Sequence, residues 1–128
     1  MNLLLDTHVA LWAIADDPRL SAQGRQLILD PHNHIVVSAA TVWEIAIKHG
    51  LGKGDMPLSG VEALGYFDQA GYQLLPITAQ HAAAVGALPP IHRDPFDRLL
   101  AAQALIEPLR LVTDDATLAS YSDTSILI

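Results

Sequence analysis

Strand-length apolar runs that stop on a polar residue, separated by helix-length segments, restrict this chain's fold more than any other feature. Asn2-Leu-Leu-Leu-Asp6 is the first, three leucines ending at a carboxylate, the pattern of a buried strand with a polar carboxyl end. Ile35-Val-Val-Ser38 is the second, β-branched and preceded by the turn-forming His32-Asn-His34. Gln73 to Ile77 and Arg110-Leu-Val-Thr113 are the third and fourth, and Ser125 to Ile128 offers a small edge strand. Strands alternating with helices need crossover connections. The fold class is therefore read as α/β: one domain over 1–128, with a mainly parallel central sheet of four to five strands and helices on both faces.

The helices announce themselves by their ends. Thr7 is placed to cap a helix carrying Val9, Leu11, Trp12 and Ile14, which Asp16-Asp17-Pro18 stops. Ser21 opens a second helix, closed by Asp30-Pro31, and Ala39 to His49 makes a third that Gly50 can terminate. After a Gly-rich loop over 50–60, Ser59 and Glu62 form a capping-box pattern for a helix to about Ala70. Thr78 opens another, running to Pro89-Pro90. Asp94-Pro95 sets a capping acid before a proline at the first helical position, so a helix follows from Pro95 to about Glu107. Asp115 starts a last short one.

A chain of 128 residues with 51% hydrophobic content has the material for one core and no more. It contains no cysteine, which excludes disulfides, thiolate metal sites and cysteine nucleophiles and suits a reducing cytoplasm. Asp6 interrupts the N-terminal leucines, and no segment reaches the roughly 18 apolar residues of a membrane span, so the expectation is a soluble, cytoplasmic protein. The formal charge of -7 argues against passive capture of nucleic acid by a basic surface.

In open α/β sheets, ligands bind beyond the carboxyl ends of the strands. Strand 1 ends at Asp6, strand 2 at Ser38, and strand 4 at Thr113-Asp114-Asp115. Glu44 interrupts an apolar stretch in the helix after strand 2, and Asp97 lies in the first turn of the helix begun by Asp94-Pro95. Each acid also has an ordinary explanation. Asp97 favours the positive end of its helix, Asp94 and Asp115 serve as caps, and Glu44 pairs with Lys48 at the i,i+4 spacing. Asp6 is harder to explain in that way, because a carboxylate directly after three leucines needs a cation or strong donors.

Several carboxylates at one sheet edge raise one another's pKa unless a cation joins them. Mg²⁺ or Mn²⁺ is the natural choice for oxygen ligands, and such a site suits phosphodiester hydrolysis. The six histidines show no His-Glu-x-x-His spacing for zinc. His8 and His92 lie near the acids in sequence, where surface or capping roles suffice. Serine-hydrolase elbows and phosphate-cradling P-loops are absent.

Four blocks in order tie the acids together: Asp6-Thr7-His8 with Leu11-Trp12; Val37-Ser38 through Trp43-Glu44 to Lys48; His92-Arg-Asp94-Pro-Phe-Asp97-Arg98; and Leu111-Val-Thr113-Asp-Asp115. Together they resemble the signature blocks of PIN-domain ribonucleases of the VapC toxin type, over essentially the whole chain. The resemblance implies a Mg²⁺- or Mn²⁺-dependent endoribonuclease, usually a homodimer and inhibited by a VapB-like antitoxin. It assigns the family's four acids to Asp6, Glu44, Asp97 and Asp115, with Asp94 and Asp114 as extra acids that contact metal through water. Thr7, Ser38, Lys48, Arg98 and Thr113 are the expected substrate contacts, and Lys53 and Arg93 would extend a phosphate track. Two other readings stay open: a catalytically inactive module of this fold acting by protein or RNA binding, and a receiver-like signalling domain, which the missing acid pair and late-strand lysine disfavour.

Overall fold

The computed structural model describes residues 1–52 and 56–128. Its five strands are β1 (Asn2–Leu5), β2 (His34–Ser38), β3 (Gln73–Leu75), β4 (Arg110–Thr113) and β5 (Ile126–Leu127). They form one sheet in the order β3-β2-β1-β4-β5, and every pairing is parallel. The helices are α1 (Thr7–Ala15), α2 (Ala22–Leu29), α3 (Ala39–Gly50), α4 (Gly60–Gln69), α5 (Ala79–Ala84), α6 (Pro95–Ile106) and α7 (Ala116–Ala119).

Alternation along the strands divides the core in two. Leu3, Leu5, Ile35, Val37 and Val112 face Val9 and Ala10 of α1, Ile45 of α3 and Phe67 of α4. Leu4, Val36 and Leu111 face Leu100 and Ala104 of α6 and Leu118 of α7. With both faces covered, the buried middles of β1, β2 and β4 are apolar at successive positions, which is why they read as runs rather than as alternating patterns. Gly60 lets α4 approach α3 closely, because a Cβ there would lie 2.8 Å from that of Ala46.

Several ends differ from the sequence reading. Asp6, not Thr7, caps α1: its Oδ1 accepts from Val9 N–H at 2.8 Å, and Thr7 becomes the first helical residue. Gly50 lies inside α3, and the chain turns instead at Gly52, whose φ of +62° suits glycine. Strand β3 stops at Leu75, before Pro76, which has no amide to donate to a ladder. Helix α5 ends at Ala84 and tightens into a 3₁₀ turn over Val85–Ala87, well before Pro89. The capping box at Ser59 and Glu62 and the cap at Asp94 form as read.

The chain leaves β1 towards β2 on one side and returns to β4 on the other. The carboxyl ends of β1 and β4 therefore flank a topological switch point, where helix amino termini and loops converge. Among the described residues, no helix is long and apolar enough to cross a membrane.

Candidate active site

Asp6 sits at that switch point and is only 3% exposed. Its backbone continues the β1–β4 ladder through Asp6 N to Val112 O, so the carboxylate projects from the sheet's end with little freedom. Oδ2 accepts from the Thr113 hydroxyl at 2.5 Å, while Oδ1 is used in capping α1. Burial raises the pKa of Asp6 above its ordinary value, and the bonds from Thr113 and Val9 only partly offset that effect.

Glu44 approaches from α3. It too is buried, with Oε1 accepting from the Thr7 hydroxyl at 2.7 Å and Oε2 accepting from Lys48 Nζ at 2.6 Å. Thr41 stands 3.1 Å from Thr7, so α1 and α3 are joined by hydroxyls beneath the carboxylate. The i,i+4 pair with Lys48 is thus present, but its acid end is in the protein and only its ammonium end reaches solvent. Burial works against the charge on Lys48. Glu44, with Asp94 and Asp97 behind it, outweighs that and leaves the lysine pKa raised.

Asp97, in the first turn of α6, is pushed up to about 7, first by burial and then by the charge of Asp94, with Glu44 and Asp6 adding to it and His92 opposing it. Four carboxylates from three elements thus act on one another here. Asp115 behaves differently. Burial raises it, but a bond from His92 and the amides of Leu118 and Thr117 at the head of α7 leave its pKa lowered. Asp94 caps α6 by accepting from Phe96 and Asp97 N–H, and Asp114 is exposed beside Asp6.

His92, which the sequence placed near the acids with a surface or capping role, lies among them. Its Nε2 lies 2.9 Å from Asp115 Oδ2 and 3.3 Å from Asp97 Oδ2. Among the described residues, His92, Asp97 and Asp115 are the set whose ligand atoms all fall within 4.8 Å of one another. Asp6 and Glu44 reach this set through charge rather than contact. The available signal was position, since His92 opens the block that holds Asp94 and Asp97.

The expected substrate contacts divide by exposure. Thr7, Ser38 and Thr113 are buried and bonded to Glu44, Gln103 and Asp6 respectively, so their hydroxyls hold the site's framework. Lys48 reaches solvent. Arg98 is turned away from the acids, donating to the carbonyls of Val85, Pro89 and His92 and to Tyr121 Oη, so it braces the segment before α6. Arg93 is exposed, and Lys53 lies outside the described residues. A groove of about 780 Å³ has none of the four acids in its lining, which includes Trp12, Met56, Leu58 and Tyr66 together with the charged Asp17 and Lys48.

This arrangement of a parallel sheet with acids at its switch point matches known proteins. The PIN-domain family model matches residues 3–128. The chain belongs to the PIN-domain family. A curated relative, Ribonuclease VapC22 of Mycobacterium tuberculosis, is 34% identical over 123 residues, covering 94% of this chain and 92% of the relative. Among solved structures, VapBC2 from Rickettsia felis bound to a DNA fragment from its promoter superposes with a TM-score of 0.70 at 21% identity, covering 100% of this chain and 98% of the other. DNA-bound VapBC from Salmonella typhimurium gives 0.67 at 18% identity, covering 100% and 97%. At those identities the two structures attest to the fold, and the curated relative places this PIN domain among VapC-type members.

Proposed function

We propose that this PIN domain is a metal-dependent endoribonuclease of the VapC type, with Asp6, Glu44, Asp97 and Asp115 as its metal-holding acids. The observation that carries the reading is the convergence of carboxylates from β1, α3, α6 and the head of α7 beyond the switch point, where Asp97 feels Asp6, Glu44 and Asp94 at once. Excess negative charge built from hard oxygen donors suits a divalent cation, and Mg²⁺ or Mn²⁺ fits the donor set. When bound, such an ion supplies an activated water and stabilises charge on the phosphoryl and leaving oxygens. The chain's own residues hold the carboxylates: Thr113 fixes Asp6, Thr7 and Lys48 fix Glu44, and the helix caps fix Asp94 and Asp115. Lys48 and Arg93 are the side chains offered to phosphate, and Asp94 and Asp114 would belong to the outer shell of the ion.

The reading extends to partners. The similar structures are VapBC complexes, and the largely apolar groove suits an antitoxin segment of the VapB kind. A homodimer and a cytoplasmic setting complete it. The test is cleavage of structured RNAs with Mn²⁺ or Mg²⁺ by the wild type and by Asp6→Asn. Activity that disappears with EDTA and falls at least 100-fold in Asp6→Asn is the expected result, and equal activity in the two proteins overturns the reading.

A further inference from the structure

By spacing alone, His92, Asp97 and Asp115 read as a mixed histidine and carboxylate metal site. The hydrogen bonds around the imidazole say otherwise. The backbone N–H of Asp94 points at His92 Nδ1 from 3.1 Å. An amide N–H can only donate, so Nδ1 presents its lone pair and the neutral ring carries its proton on Nε2. That is the nitrogen that donates to Asp115 Oδ2 at 2.9 Å, with Asp97 Oδ2 3.3 Å away but not hydrogen-bonded to it. A nitrogen that bears a proton has no lone pair to give a cation.

The backbone that carries the ring is anchored as well. The N–H of His92 donates to Tyr121 Oη at 2.9 Å, its carbonyl accepts from Arg98 at 3.4 Å, and Tyr121 donates to Pro89 O at 3.0 Å. Asp94 is fixed in turn by capping α6. The segment is therefore held on both sides of the imidazole, whose two nitrogens meet Asp94 N–H and Asp115.

We propose that His92 is a positioning residue of the acid site: its Nε2–H holds Asp115 at the head of α7 beside Asp97 of α6, and the ring does not ligate the metal. The proposal rests on the metal-dependent reading above. Two like-charged carboxylates on separate elements repel, and a donor that fixes Asp115 next to Asp97 sets the rotamer in which both can serve one ion. Such outer partners typically account for about 10–100-fold in metal affinity.

The test uses the full chain and Mn²⁺ alone, with free Mn²⁺ followed by electron paramagnetic resonance. His92→Leu should weaken binding about 10–100-fold, and His92→Gln, which keeps an N–H donor at similar reach, should recover most of the loss. In the wild type, long-range proton–nitrogen NMR should show Nε2 protonated and Nδ1 bare both before and after addition of Mg²⁺. The proposal is overturned if His92→Leu binds Mn²⁺ as tightly as the wild type, if His92→Gln is as weak as His92→Leu, or if Nε2 loses its proton to the ion. Should His92→Leu fail to fold, the wild-type NMR decides alone. A wild type that binds Mn²⁺ but leaves RNA intact removes the nuclease reading without touching this one, whereas a wild type that binds neither ion overturns both.

Discussion

Thr113 at the end of β4 donates its hydroxyl to Oδ2 of Asp6 at the end of the neighbouring β1, 107 residues away in sequence and 2.5 Å away in space. The Thr113 hydroxyl oxygen itself accepts from Asp115 N–H at 3.0 Å, so one threonine orders two of the four acids. Thr113→Val keeps the shape and removes both bonds. A hydrogen bond to a charged, buried group contributes about 1.5–3 kcal/mol, and a loss in that range is expected from urea unfolding at pH 7. The loss should shrink in an Asp6→Asn background. An unchanged midpoint and slope would show that the hydroxyl does not support Asp6.

Asp97 makes the stability of the metal-free protein depend on pH. Its pKa is about 7 in the fold against an ordinary 3.8, so between those values the unfolded chain has released a proton that the folded chain retains. Stability from this group therefore falls as pH rises through the window and is lowest above pH 7. Asp97→Asn removes the dependence. In EDTA, its Tm should match the wild type at pH 4 and exceed it at pH 8 by about 3–6 °C, the equivalent of about 1 kcal/mol. Parallel Tm profiles would contradict the burial and repulsion assigned to Asp97.

Much of this was legible in the sequence because parallel strands buried on both faces have no polar alternation to obscure them. Asp6 and Asp115 stood out as acids immediately beyond such runs. From its local pattern Glu44 passed as an ordinary partner of Lys48, and the family resemblance was what placed it among the acids; its depth comes from α1 packing across it through Thr7. Arg98 and His92 were opaque for a different reason. Their partners, Val85, Pro89, Tyr121 and Asp115, come from separate segments, and local pattern carries no information on such contacts. The cap of α1 was misplaced by one residue because Asp and Thr are both good caps, and the ladder bond from Asp6 N decides between them.

Lys48→Met should destabilise the protein although the ammonium is partly exposed. Glu44 is buried and would keep only its bond from the Thr7 hydroxyl, leaving a carboxylate short of the partner that balances its charge. Removing one member of a fully buried pair costs about 3–5 kcal/mol. With one end in solvent, about 1–3 kcal/mol is expected at pH 7. A double-mutant cycle with Glu44→Gln checks it: the pair should show a coupling energy above about 0.5 kcal/mol, and strict additivity would remove Lys48 from the framework of the site.

Arg98→Lys tests whether the segment before α6 is held by geometry or merely by charge. The guanidinium reaches four acceptors at once, Val85 O at 3.0 Å, Pro89 O and Tyr121 Oη at 3.2 Å, and His92 O at 3.4 Å. A lysine presents its three donors from one point and cannot span them, although its charge is the same. The amides of His92 and Asp94, bonded to Tyr121 and to the His92 ring, should then exchange with deuterium about 10-fold faster, equivalent to about 1.4 kcal/mol of local opening. Amides in β1 and β4 should be unaffected relative to global stability. Because the same segment carries the imidazole between Asp97 and Asp115, Mn²⁺ affinity should fall with it. Unchanged exchange at both amides would mean that Tyr121 and the cap of α6 are sufficient to hold His92 in place.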